Sequence, residues 1–321
     1  MTKREEIFKI LSAKLRKIFE KADINYELLQ ELRLRIQEPL IIIYGGKEYF
    51  VSEQGTLERN YQFGYRVAVT DVKETIEYIS SFSLYAYEDE IRQGFITVQG
   101  GHRIGLAGKV IMEQGKVKSV KDISFINIRL SHEKKNCGRE ILPYIYSNNQ
   151  VCHTLVISPP GCGKTTLLRD MVRLISDGNE EHPGMTVGVI DERSEIGACY
   201  RGIPQNDIGM RTDVLDCCPK AEGMLMMIRS MSPALIAVDE IGKREDIDAI
   251  AYVMNCGCQI LATVHGSSID DVKNKPVLRK LVEEKLFKRY IVLSGNDKPG
   301  VVQNIFDERG SVLYDRVLQG A

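Results

Sequence analysis

Tryptophan is absent from this sequence, and no apolar run approaches the roughly 18 residues that a helix needs to cross a bilayer. The N-terminus also lacks the apolar segment of a secretory signal, so the expected location is the cytoplasm, with membrane contact made only through a surface or a partner. An excess of one charge is missing too: 43 Lys and Arg face 44 Asp and Glu, for a formal net charge of −1. Phosphate-backbone binders usually carry a marked basic excess, so nucleic acid is not an expected partner. Metal-ligand spacing is likewise lacking among the eight cysteines. Cys217 and Cys218 are adjacent, Cys256 and Cys258 flank one glycine, and Cys137, Cys152, Cys162 and Cys199 stand alone. Without a Cys-x-x-Cys pair, reduced thiols acting as small hydrophobes are the expectation. Internal repeats and low-complexity segments are absent as well.

The composition present is that of a globular chain, 43% hydrophobic and 27% charged, and 321 residues suggest two domains. Apolar residues Ile7, Leu11, Leu15 and Ile18 recur at helical spacing and predict one amphipathic helix over residues 5–22. Leu32, Leu34 and Ile36 then alternate with polar residues as in a half-buried strand, and Gly45-Gly46 marks a hairpin turn. A helix is expected from Asp71 to about Glu90, with Thr70 as its N-cap and Ile76, Ile79 and Leu84 facing inward. Strand patterns follow at residues 95–98, 104–112 and 117–130. This part, residues 1–130, reads as an α+β domain.

Beyond residue 130 the pattern changes. Apolar runs at 154–157, 187–190, 235–238 and 260–264 each lead into polar residues and then a helical pattern. Strands alternating with helices imply a parallel sheet covered on both faces, so residues 131–321 read as an α/β, RecA-like P-loop NTPase domain. The end of the chain reads as an antiparallel extension.

The first of these runs carries the clearest motif: Ser158, Pro159, Pro160, Gly161, Cys162, Gly163, Lys164, Thr165 and Thr166 stand between a strand and a helix. In such a loop glycines let backbone N–H groups turn towards phosphate oxygens at a helix N-terminus. Lys164 is then expected to reach the β- and γ-phosphates of ATP and Thr165 to bind magnesium. Ser158 replaces the first glycine of the motif. Residues 235–238 end in Asp239 and Glu240, which would serve the magnesium and the attacking water respectively. Asp191-Glu192-Arg193-Ser194-Glu195 and His265 also end or follow strands. The nucleotide-facing edge is the functional placement for both clusters, while a Glu192–Arg193 surface ion pair and a structural histidine are the plain alternatives.

Residues 229–233, 235–242 and 262–266 resemble the secretion-ATPase family of type II and type IV secretion and pilus motors. The resemblance implies an acidic box matched by Glu192 and Glu195, a hydrolytic glutamate matched by Glu240, and a histidine box matched by His265. Asp239-Glu240 stands where many members have Gly-Glu, and Ser230 and Met231 replace a more basic run. A closer resemblance, through residues 32–35, 83–86, 94–103, 189–196, 209–213 and 223–233, is to the stage III sporulation protein AA family of endospore-forming Firmicutes. It implies a mother-cell ATPase, peripheral to the membrane around the forespore and docked on membrane proteins of the channel linking the two cells. It also implies a self-assembled ring, expected to be a hexamer. In such rings an arginine of a neighbour can reach the phosphates, with Arg103 and Arg129 as first candidates and Arg201 and Arg211 as others. An ATP-driven nucleic-acid motor or recombinase, and a nucleotide-gated scaffold without turnover, are the competing readings.

Overall fold

In the computed structural model, which describes residues 1–81, 87, 90–91, 94–113, 115–295 and 299–316, the first amphipathic stretch is two helices rather than one. Helix α1 (Lys3–Ile10) starts at Thr2, whose side chain forms a reciprocal capping box with Glu5. The chain breaks because Ser12 caps α2 (Ala13–Lys21), accepting the Leu15 N–H at 3.2 Å. The Ser12 hydroxyl donates to buried Asp71 at 2.9 Å, and Asp71 also accepts from the Tyr65 hydroxyl and the Ala68 N–H. Leu11 and Leu15 stay in one core across the break, so the hydrophobic period runs on while the backbone turns. Asp71 sets the start of the next helix too. Helix α3 (Val69–Ile79) is capped at Ala68, not Thr70, and it ends at Ile79, well short of Glu90. Leu84 and the motif at 83–86 lie outside the described residues.

The chain divides into two compact units, Met1–His132 and Glu133–Ala321. In the first, strands β1 (Leu29–Arg35), β2 (Ile41–Tyr44), β3 (Lys47–Val51), β4 (Leu57–Glu58), β5 (Phe95–Val98), β6 (His102–Glu113) and β7 (Lys116–Arg129) form one antiparallel sheet. Their order is β4-β3-β2-β1-β7-β6-β5. Gly45 and Gly46, both at positive φ, make the β2–β3 turn. The two-residue period of β1 sends Leu32 and Leu34 into the core with α1–α3, leaving Arg33 and Arg35 on the other face. Glu31 pairs with Arg129 and Arg129 with Arg103, so the register puts all four arginines on that second face.

In the second unit a 3-10 turn at Leu142–Ile145 leads into a short hairpin, β8 (Tyr146–Ser147) and β9 (Gln150–Val151). Then come β10 (Thr154–Ser158), α4 (Lys164–Asp177), β11 (Val187–Asp191), β12 (Thr212–Asp216), α5 (Lys220–Ser230) and β13 (Leu235–Val238). Helix α6 (Arg244–Asn255), β14 (Gln259–His265), α7 (Ile269–Asn274), α8 (Arg279–Glu283), β15 (Arg289–Leu293), β16 (Val302–Asp307) and β17 (Val312–Asp315) complete it. The sheet order is β12-β11-β13-β14-β10-β15-β16-β17, parallel through β15 and antiparallel at its last two strands. Strands β10, β11 and β13 are buried along their whole length, because α4 packs on one face while α5 and α6 pack on the other. Edge strand β12 has no apolar run to announce it, since Thr212, Asp213 and Asp216 flank only two apolar residues, Val214 and Leu215.

Candidate active site

Strand β10 delivers the phosphate-type loop to the carboxyl edge of the sheet. Ser158 is fully buried: its carbonyl accepts the Gly266 N–H at 3.1 Å and its hydroxyl donates to the Pro159 carbonyl. Pro159 and Pro160 begin the turn, which closes through Gly161 at φ 74° and Gly163 at φ 86°. A side chain at 163 would lie 2.6 Å from the Gly300 nitrogen, which donates to the Cys162 carbonyl. Glycine is thus required there by both conformation and space. Lys164, Thr165 and Thr166 form the first turn of α4, whose leading N–H groups have no helical partner.

Beside this loop, β13 and β14 end in a tight polar cluster. The Thr165 hydroxyl lies 2.5 Å from Asp239 Oδ2, and Lys164 Nζ lies 3.4 Å from Asp239 Oδ1 and 3.9 Å from Glu240 Oε2. Thr263, from β14, donates its hydroxyl to Asp239 and accepts the Glu240 N–H at 2.9 Å. That grip holds Glu240 in a left-handed conformation, φ 58°, which ordinary residues seldom adopt. The Glu240 carboxylate is bonded on both oxygens: Arg193 Nη1 reaches Oε2 at 2.7 Å and His265 Nε2 reaches Oε1 at 2.9 Å. Since a carboxylate only accepts, His265 carries its proton on Nε2, and Nδ1 is buried with no partner among the described residues.

The acidic segment after β11 divides its labour differently from the expectation. Glu192 pairs with Lys220 and approaches Lys243 at 3.9 Å, while Arg193 turns to Glu240, so Glu192 and Arg193 do not form the surface ion pair considered above. Asp191 is buried and accepts the N–H groups of Glu195, Ile196 and Gly197 at 2.7–2.9 Å. Burial nevertheless pushes its carboxyl up to about 6, against those bonds. Glu195 enters this network through its backbone: its carbonyl and that of Ile196 accept from Arg169. A cavity of about 580 Å³ borders the cluster, with Glu192, Arg193, Lys220, Glu240, His265 and Lys275 in its wall.

The structure therefore brings Lys164, Thr165, Asp239, Glu240 and His265 together and sets Glu192 beside them. Arg103 and Arg129 lie on the other unit, Arg103 stacked 4.1 Å over the Phe95 ring and Arg129 largely exposed. Arg211 is bound to the carbonyls of Ser176 and Asp177 at the end of α4, and Arg201 lies over the Tyr200 ring. Sequence reasoning passed over Arg169, gave Thr263 no role of its own, and placed Arg193 at this edge only as a member of its acidic cluster. Arg169 had a legible signal, a cation four residues after Thr165 on the same face of α4. The donor set suits magnesium and a triphosphate: a hydroxyl and a carboxylate as hard oxygen ligands, an ammonium group, and glycine backbone at a helix N-terminus. None of the eight cysteines forms a disulfide, and burial pushes Cys137 up to about 11 and Cys199 and Cys258 up to about 12, as inert thiols.

This arrangement is the fold of the secretion ATPases. The Legionella pneumophila ATPase DotB superposes with a TM-score of 0.54 at 16% identity, covering 88% of this chain and 78% of that one. The pilus retraction motor PilT, solved with bound ADP, superposes at 0.57 with 14% identity, covering 87% and 78%. At such identities the likeness is one of fold. At the level of sequence, residues 1–313 match the family described as sporulation stage III, protein AA. Stage III sporulation protein AA of Bacillus subtilis (strain 168) is 45% identical over 285 residues, 89% of each chain. The chain belongs to this sporulation family. Among the described residues, no helix is long and apolar enough to cross a membrane.

Proposed function

We propose that this chain is a magnesium-dependent ATPase that works as a ring and energises the channel between mother cell and forespore during endospore formation. The observation that carries the reading is the convergence of Lys164, Asp239 and Glu240 within 3.9 Å at the carboxyl edge of the sheet. When bound, magnesium supplies charge neutralisation on the β- and γ-phosphate oxygens. Thr165 and Asp239 are the residues to hold it, directly or through water. Lys164 binds the phosphates, and Glu240 accepts a proton from the attacking water. Arg193 and His265 keep that carboxylate in one orientation, and Glu192, tied to Lys220, borders the same cavity.

The partner is first of all the chain itself, in a ring proposed to be a homohexamer. The arginine face of the first unit supports a role across a subunit boundary, with Arg103 and Arg129 meeting the phosphates of a neighbour's ATP. Membrane proteins of the sporulation channel are the proposed dock, with the ring peripheral on the mother-cell cytoplasmic side. Equilibrium binding of ATP with magnesium tests the site. Lys164→Ala should weaken affinity about a hundredfold by removing the phosphate-facing ammonium, and unchanged affinity would contradict its assignment.

A further inference from the structure

Arg169 is half-buried on α4, one helical turn beyond Thr165, and among the described residues no carboxylate accepts a hydrogen bond from it. Its guanidinium donates instead to two successive carbonyls, Nη2 to Glu195 at 2.6 Å and Nε to Ile196 at 2.8 Å. A half-buried cation satisfied by backbone oxygens gives up part of its hydration to close a surface loop, which is worthwhile where the loop must be held in one place. The same loop is gripped from the other side by Asp191, which takes three of its amides, and Asn206 adds a bond to the Ile196 carbonyl. Ser194 within it and Ala198 just beyond it are both left-handed, at φ 51° and 48°, a conformation that residues other than glycine seldom adopt. The side chain that leaves this loop for the reactive cluster is Arg193, 2.7 Å from Glu240.

We infer that Arg169 is a positioning residue: it locks the loop at 192–197 to the phosphate-binding helix so that Arg193 meets Glu240, coupling the triphosphate grip to the base. The inference rests on the ATPase reading for its catalytic consequence but not for its structural one. Two carbonyls about one residue apart need the planar fork of arginine, so lysine satisfies only one of them.

Three measurements on the full-length protein test it, using Arg169→Met, Arg169→Lys and Arg193→Ala. Amide exchange at Glu195, Ile196 and Gly197 should accelerate at least tenfold in Arg169→Met, while β10 and β13 amides stay as protected as before. Turnover should fall about tenfold with ATP affinity within threefold of the parent, and Arg169→Lys should restore part of it. The double variant with Arg193→Ala should be no slower than Arg193→Ala alone, because both act through one contact. Multiplicative losses in the double variant, or unchanged exchange in the loop, would overturn the inference. If the parent protein turned over no ATP, the function proposed above would fail, and the exchange rates alone would still decide whether Arg169 holds the loop.

Discussion

Arg193 and Glu240 come from different strand ends, 47 positions apart in the chain, yet their side chains meet at 2.7 Å. The guanidinium fixes one carboxylate oxygen and His265 the other, so the proposed base is held at both ends before any substrate arrives. Pre-orientation of this kind acts on the chemical step rather than on substrate binding. Arg193→Ala should therefore lower kcat about tenfold while leaving the ATP dissociation constant within about threefold, a difference on the order of 1.4 kcal/mol in the barrier. Steady-state turnover paired with equilibrium ATP binding checks this. A collapse of affinity with normal kcat would assign Arg193 to the phosphates instead.

The first unit carries its own titration signature. His102 is completely buried, with Nδ1 accepting the Ser131 N–H at 3.1 Å and Nε2 set 3.2 Å from Glu6. Burial, with Lys3 adding to it, lowers its pKa from 6.5 to about 4. The ring is therefore neutral, and its contact with Glu6 is a hydrogen bond from Nε2–H rather than an ion pair. The unfolded imidazole takes its proton near 6.5 and the folded one only near 4. The stabilisation is thus complete above pH 6.5 and drains away as pH falls towards 4, on the order of 3 kcal/mol in all. Denaturant unfolding of the first unit at pH 7 and pH 5 should show this slope, and His102→Gln should flatten it. Glu6, whose carboxyl is pushed up by burial, contributes in the opposite sense and is common to both proteins. An equal slope in the variant would remove His102 as its origin.

What the sequence disclosed and what it hid follow one physical division. Runs buried on both faces of a parallel sheet, such as Leu155 to Ile157 and Leu235 to Val238, are apolar without interruption, and the polar residue ending each run marks the reactive edge. Thus Lys164, Asp239, Glu240 and His265 could be placed near one another before any fold was known. Tertiary polar contacts leave no such periodic trace. Nothing near residue 12 shows that Ser12 will meet Asp71, and so a broken helix reads as a continuous one. The N-cap shifts from Thr70 to Ala68 for the same reason, because Asp71 satisfies the Ala68 N–H itself. Arg193 beside Glu192 suggests a local ion pair, whereas Arg193 reaches across to Glu240 and Glu192 to Lys220, partners distant in the chain.

The central claim is that Glu240 activates water on a phosphate gripped by Lys164. Glu240→Gln keeps the size of the side chain and its bond to Thr263 through the backbone, so it separates binding from chemistry. Single-turnover hydrolysis of ATP with magnesium, measured beside nucleotide affinity, is the direct measurement. The account predicts affinity within a few-fold of the parent and a rate reduced at least a hundredfold, the range expected for a lost general base. Hydrolysis at the parental rate by Glu240→Gln would contradict it.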